Sequence, residues 1–144
     1  MRPLLEIDQS RHLWPYIQIA RIDHWFKNVF MLLGVLLALF YEPALFTWAG
    51  VLRVGVALLA TCLVASSNYV LNELLDAPRD RFHPVKKRRP VPSGKIQPSL
   101  AWLEWILLGA SGAGIALLIN PYFTAAVLAL WVMGIAYNVP PVRT

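Results

Sequence analysis

Charge is scarce in this 144-residue chain: 15% of its residues are Asp, Glu, Lys or Arg, against 58% apolar ones, and mean hydropathy is +0.54. Soluble domains carry about 25% charged residues, so the deficit excludes an ordinary water-facing surface and makes a bilayer the expected solvent. Cysteine is almost missing. Cys62 stands alone inside an apolar run, which rules out an intrachain disulfide and every CxxC-type metal spacing and leaves it a packing residue. Residues 1–8 mix both charges and lack an apolar stretch before a small-residue cleavage site, so no signal peptide is read there. No internal repeat or low-complexity tract is found either.

What the chain does have is long uncharged runs. Residues 28–41 carry no charge, and with Trp25, Phe26 and a snorkelling Lys27 the segment approaches bilayer thickness. Glu42-Pro43 breaks it, and 44–72 follows with a single charge, Arg53. From Trp105 to Val142 there is none at all, too long a stretch for one crossing, so Asn120-Pro121 is the expected turn between two spans. Pro98-Ser99 opens the third span, with Ser99 as its expected N-cap. The expectation is an all-α polytopic bundle with spans near 25–41, 44–72, 100–119 and 122–137 and a motif loop over 73–98.

Twelve of the thirteen Lys and Arg lie outside these spans, before the first, between the second and third, and after the fourth. The hairpins around Glu42 and Asn120 have neither. Such asymmetry marks membrane topology rather than nucleic-acid binding and places both termini and the long loop in the cytoplasm, with the cell inner membrane the expected location. Arg53, the exception, reads as a snorkelling or structural charge because it is far from that loop.

The second span runs into Asn72-Glu73-Leu74-Leu75-Asp76-Ala77-Pro78-Arg79-Asp80. Residues four apart share a helical face, so Asn72, Asp76 and Asp80 can aim oxygens into one cavity at the membrane surface. Carboxylates at a helix C-terminus oppose the macrodipole. A bound Mg²⁺, which takes carboxylate and amide oxygens and leaves positions for phosphate, would offset that cost. The following cations, Arg81, Lys86, Lys87, Arg88 and Arg89, with His83 among them, would supply the positive charge a diphosphate needs. The plainer alternative is that the acids pair with these cations, which also serve orientation and attraction to anionic lipid. Pro78 is expected to bend or end the helix near Asp76, leaving Asp80 to reach the cavity from a turn.

Asn72-x-x-x-Asp76-x-x-x-Asp80 followed by Arg89-Pro90-x-x-Ser93-Gly94 resembles the first aspartate motif of the UbiA-type intramembrane prenyltransferases. Arg21-x-x-x-Trp25-x-Lys27-Asn28 and Tyr137-x-x-Pro140-Pro141-x-Arg143 fit the same family, and the resemblance covers essentially the whole chain. It implies a helical bundle of about nine spans around a cavity open to lipid, with Mg²⁺ held by two aspartate motifs. Asn72, Asp76 and Asp80 would be metal residues, Asp76 and Asp80 the catalytic pair. Lys27, Asn28, Arg81, His83, Lys86, Arg89, Tyr137 and Arg143 would contact substrate.

Trp25-x-Lys27-Asn28 and His83-Pro84-x-Lys86-x-x-Arg89-Pro90 are more similar to the branch that transfers phosphoribose from phosphoribosyl diphosphate to a polyprenyl phosphate. The Pro140-Pro141-x-Arg143 ending is closer to pigment and lipid prenyltransferases, and the lean is slightly to phosphoribosyl transfer. Glu73 stands where the family usually has Asp. Only one of the two aspartate motifs is present. The expectation is therefore either the N-terminal half of a Mg²⁺-dependent transferase with a missing C-terminal half, or a catalytically incomplete four-helix module. A channel or transporter fits less well, because the charged cluster lies at the membrane edge rather than the midplane.

Overall fold

The structure, a computed structural model, describes residues 10–139. Pro140, Pro141 and Arg143 lie outside the described residues. Among these, every regular element is helical. Helix α1 (Ser10–Ile19) leads into a 3₁₀ segment (Ile22–Met31) that continues as α2 (Leu32–Tyr41), followed by α3 (Trp48–Asp80), α4 (Pro98–Leu117) and α5 (Pro121–Asn138). Four helical stretches are long and apolar enough to cross a membrane: Leu13–Tyr41, Trp48–Asp80, Pro98–Leu117 and Pro121–Asn138. The chain is an integral membrane protein.

The ends of these helices follow local chemistry. Asn120 accepts the Phe123 amide at 2.8 Å with Pro121 in the first turn, the N-terminal arrangement that makes Asn120-Pro121 a turn. Thr47 caps α3 in the same way, accepting from the Gly50 amide at 3.0 Å. Ser99 does not cap α4. That place falls to Gln97, without a side-chain bond, because Pro98 already supplies the preset first-turn geometry.

The motif loop is shorter than the sequence suggests. Helix α3 continues through Pro78 to Asp80, about 50 Å at ~1.5 Å per residue. Its length exceeds an apolar core of about 30 Å, so the C-terminal turns extend past it. Pro78 neither ends nor displaces the helix at Asp76, since a proline in the last turn forfeits few hydrogen bonds.

Helix α3 is the hub. Ser66, Ser67 and Asn68 are consecutive, so they point about 100° apart, and each engages a different neighbour. Trp25 donates its indole N–H to Ser66 at 2.8 Å. Ser67 donates to the Trp105 carbonyl at 2.8 Å and accepts from the Trp131 indole at 3.1 Å, and Asn68 donates to the Leu130 carbonyl at 3.2 Å. Side-chain hydrogen bonds and close-packed small residues hold helices together where lipid removes the hydrophobic drive. Ser67→Ala deletes both of its bonds and should lower stability by about 1 kcal/mol, read as a lower unfolding midpoint in detergent.

The 3₁₀ segment is longer than such runs usually are, and its contacts explain it. With three residues per turn, Trp25, Asn28 and Met31 form one straight stripe facing α3. From Trp25 to Asn28 the segment rises about 6 Å, the rise of four α-helical residues, and the partners Ser66 and Cys62 are four apart. The stripe ends with the Met31 sulfur accepting from the Thr61 hydroxyl at 3.5 Å.

Candidate functional site

On α3 the side chains of Asn72, Asp76, Tyr69, Asp80 and Glu73 fall within one arc of about 100° at its last turns. Asn72 and Asp76 are half-buried, whereas Glu73 and Asp80 are buried. Asp80 meets cations of the following loop: its carboxylate accepts from the Arg89 guanidinium at 2.8 Å, and the Lys86 ammonium lies 3.9 Å away. The charge cost of an acid at a helix C-terminus is thus offset, at Asp80, by the protein itself.

The loop after α3 does not extend into solvent but doubles back along the helix. Arg89 is in extended backbone, Val91 N–H donates to Glu73 Oε1 at 3.1 Å, and Val91 and Ile96 pack with Ile19, Val70, Leu74 and Ala77. A turn closes the strand, with Ser93 N–H donating to the Arg89 carbonyl and Gly94 N–H to the Val91 carbonyl. Gly94 has φ 77°, the left-handed region in which a residue without a Cβ is unstrained, and this accounts for glycine in Arg89-Pro90-x-x-Ser93-Gly94.

Between this strand, the end of α1 and the start of the 3₁₀ segment lies a polar cavity of about 430 Å³, lined by Arg21, Lys86, Arg88 and Arg89 among cations and by Asp23 and Glu73 among acids. A cleft with convergent guanidinium and ammonium groups is suited to a multiply charged phosphate ligand.

The structure brings Asp80, Lys86 and Arg89 together, with Asn72 and Asp76 on the adjoining arc. It does not add His83, whose exposed ring caps its own turn by accepting the Val85 and Lys86 amides, each at 3.2 Å. Arg81 is exposed just past α3. Asn28 donates to Cys62 at 3.2 Å, and Lys27 beside it is exposed. Tyr137 is 70% exposed in the last turn of α5. Arg53 is exposed near the opposite end of α3, as a snorkelling charge would be.

Among the described residues no three His, Cys, Asp or Glu side chains converge as a metal cage. Asn72 and Asp76, one turn apart, nevertheless present the hard oxygens Mg²⁺ prefers. Because Mg²⁺ is commonly held by one or two carboxylates plus substrate phosphates, the set fits an ion that arrives with a diphosphate.

Sequence reasoning missed Arg21, Tyr69, Glu73 and Arg88 as site residues. Arg21 adopts φ 49°, unusual for a residue with a side chain, at the break before the 3₁₀ segment, and its guanidinium lies 5.8 Å from the Tyr69 ring centre. Nothing in its neighbours announces that backbone conformation. For Glu73 a signal was present: seven residues separate it from Asp80, which is two turns and one face.

Known proteins resemble the chain over most of its length. The profile of the UbiA prenyltransferase family matches residues 28–144. A decaprenyl-phosphate phosphoribosyltransferase of Mycobacterium tuberculosis is 30% identical over 122 residues, 84% of this chain and 40% of that protein. A Sinorhizobium fredii protein described as uncharacterized is 27% identical over 134 residues, 93% of this chain and 25% of its own length. A protoheme IX farnesyltransferase of Leptospira biflexa is 32% identical over 62 residues, 43% of this chain and 22% of that enzyme. The chain thus spans 40% or less of the length of each of these relatives.

Proposed function

Because the chain belongs to the UbiA prenyltransferase family, we propose that it serves a Mg²⁺-dependent membrane transferase acting on a polyprenyl phosphate or diphosphate, and that the transferred group is phosphoribosyl. The observation that carries this is the Arg89–Asp80 contact at 2.8 Å, which joins the acidic arc of α3 to the cationic cavity in one site. The names of the relatives at about 30% identity favour the phosphoribosyl donor. So does the cavity, whose acids and cations suit a hydroxylated sugar phosphate better than an apolar prenyl tail.

In this reading Asn72 and Asp76, with Asp80, hold the metal, which when bound draws charge from the diphosphate. Arg89, Lys86, Arg21 and Arg88 take the phosphate oxygens, as fixed cations do for a leaving group. A phosphate oxygen of the polyprenyl acceptor forms a bond to the anomeric carbon as the bond from that carbon to diphosphate breaks, and diphosphate leaves with the electron pair. Lys27, Asn28, Tyr137 and Arg143 face the lipid acceptor, and the motif end of the bundle and both termini are cytoplasmic. A second aspartate motif, on helices beyond these four spans, completes the metal site.

Membranes containing the chain, given labelled phosphoribosyl diphosphate or a labelled prenyl diphosphate, decide the donor. Label should enter extractable lipid from the first. Label entering from the second alone would make this a prenyltransferase with an aromatic or lipid acceptor, the reading the farnesyltransferase relative favours. Label from neither, in membranes where inorganic diphosphate still binds, would favour the catalytically incomplete module, consistent with the fraction of its relatives that the chain spans.

A further inference from the structure

Glu73 is an acid of the motif that the transfer chemistry leaves unused. It is 5% exposed, and its Oε1 accepts the Val91 amide at 3.1 Å across 18 positions of sequence. Arg89, two residues before Val91, binds Asp80, which lies two turns beyond Glu73 on the same face. The strand is therefore stitched to α3 at two points and runs antiparallel to it, with Val91 seated between Val70, Leu74 and Ala77. Pro90, between the two stitches, is buried and fixes the backbone there. Loss of the upper stitch would leave Arg89 on a freely moving strand; loss of the lower one would leave Arg89 in place without its partner.

We propose that Glu73 is a positioning residue and not a metal ligand: its carboxylate clamps the Val91 amide so that Arg89 and the neighbouring cations stay fixed over the cavity. A carboxylate accepting a backbone N–H makes a strong, directional bond. This inference rests on reading the cavity as a diphosphate site, and that dependence can be separated by experiment.

The test uses the full chain in detergent or nanodiscs with Glu73→Ala and Glu73→Gln. Glutamine keeps an acceptor oxygen at the same reach but removes the charge a metal ligand would need. In Glu73→Ala, amide exchange at Val91 and tryptic cleavage after Arg88 and Arg89 should accelerate. The affinity for inorganic diphosphate with Mg²⁺ should fall about tenfold, the low end of what loss of a supporting contact costs. Glu73→Gln should restore both to within about twofold, with half-saturating Mg²⁺ unchanged. If Glu73→Gln is as impaired as Glu73→Ala and needs more Mg²⁺, Glu73 is a ligand and the proposal is wrong. Unchanged Val91 exchange in Glu73→Ala also overturns it. If the strand loosens and glutamine rescues it while diphosphate binding never responds, the clamp stands and the diphosphate reading of the cavity fails instead.

Discussion

Asp76→Asn, made in the full-length protein, is expected to reduce transfer by at least ~10²-fold, the loss typical when a group stabilising transition-state charge is removed, while the protein still inserts and folds. Asp76 is half-buried in the arc of α3 with Asn72 one turn before it, so its carboxylate is the charged oxygen donor best placed for an incoming ion. Asparagine keeps the shape and one oxygen but removes the charge. Two measurements are needed together: transfer of label to lipid, and the unfolding midpoint. Wild-type transfer by Asp76→Asn would defeat the metal assignment. Loss of transfer accompanied by a large fall in the midpoint would show instead that Asp76 is a folding residue. Asp80→Asn should behave differently, because its partners Arg89 and Lys86 lose their counter-charge and the basic strand is released as well.

The second large effect belongs to packing. Gly112→Leu is expected to destabilise the bundle by about 1–3 kcal/mol, the usual cost of overpacking, and to separate α4 from α3. A Cβ at Gly112 would sit 2.7 Å from the Ala60 carbonyl oxygen and 3.2 Å from the Val64 backbone nitrogen, atoms that cannot swing aside as a side-chain tip can. Gly114, two residues further along α4, has nothing within 4 Å of its Cβ position, so Gly114→Leu is the matched control and should leave the midpoint unchanged. Equal behaviour of the two variants would refute a close α3–α4 approach at Gly112. The same helix face continues at Gly109, where a side chain would run into the Trp131 indole, and α5 approaches α3 at Gly134, opposite the Asn68 amide. Small residues at such points are how membrane helices come close enough to exchange polar bonds.

Much of this architecture was legible because membranes impose simple rules. Charge-free runs, a proline at each hairpin and the one-sided distribution of Lys and Arg led to an all-helical, four-span chain, and the four candidate spans agree with it. The first aspartate motif was also legible, since a four-residue spacing is a statement about one helix face. What the sequence concealed was geometry that depends on partners. Pro78 reads as a helix breaker, but breaking depends on how many hydrogen bonds follow it, and only the last turn does. Residues 81–97 read as a solvated charged loop because most of them are polar or charged. Their docking depends on Val91 and Ile96, two apolar residues in a cationic stretch, meeting Ile19 and Ala20 from far away in sequence. The 3₁₀ winding of Ile22–Met31 was invisible for a similar reason: a period of three in Trp25, Asn28 and Met31 gains meaning only from Ser66, Cys62 and Thr61 opposite.

That matched rise has a mechanical consequence. The 3₁₀ segment and α3 mesh as a rack and pinion, tooth against tooth every ~6 Å. Rewinding the ten residues of Ile22–Met31 as α-helix would shorten the segment by about 5 Å, close to one tooth. Trp25 and Asn28 would then disengage together, and Lys27, riding between them, would swing around the axis. A coarse change of winding in a lipid-facing segment would thereby be geared to the placement of a single cation, while α3 and its acids stay where they are.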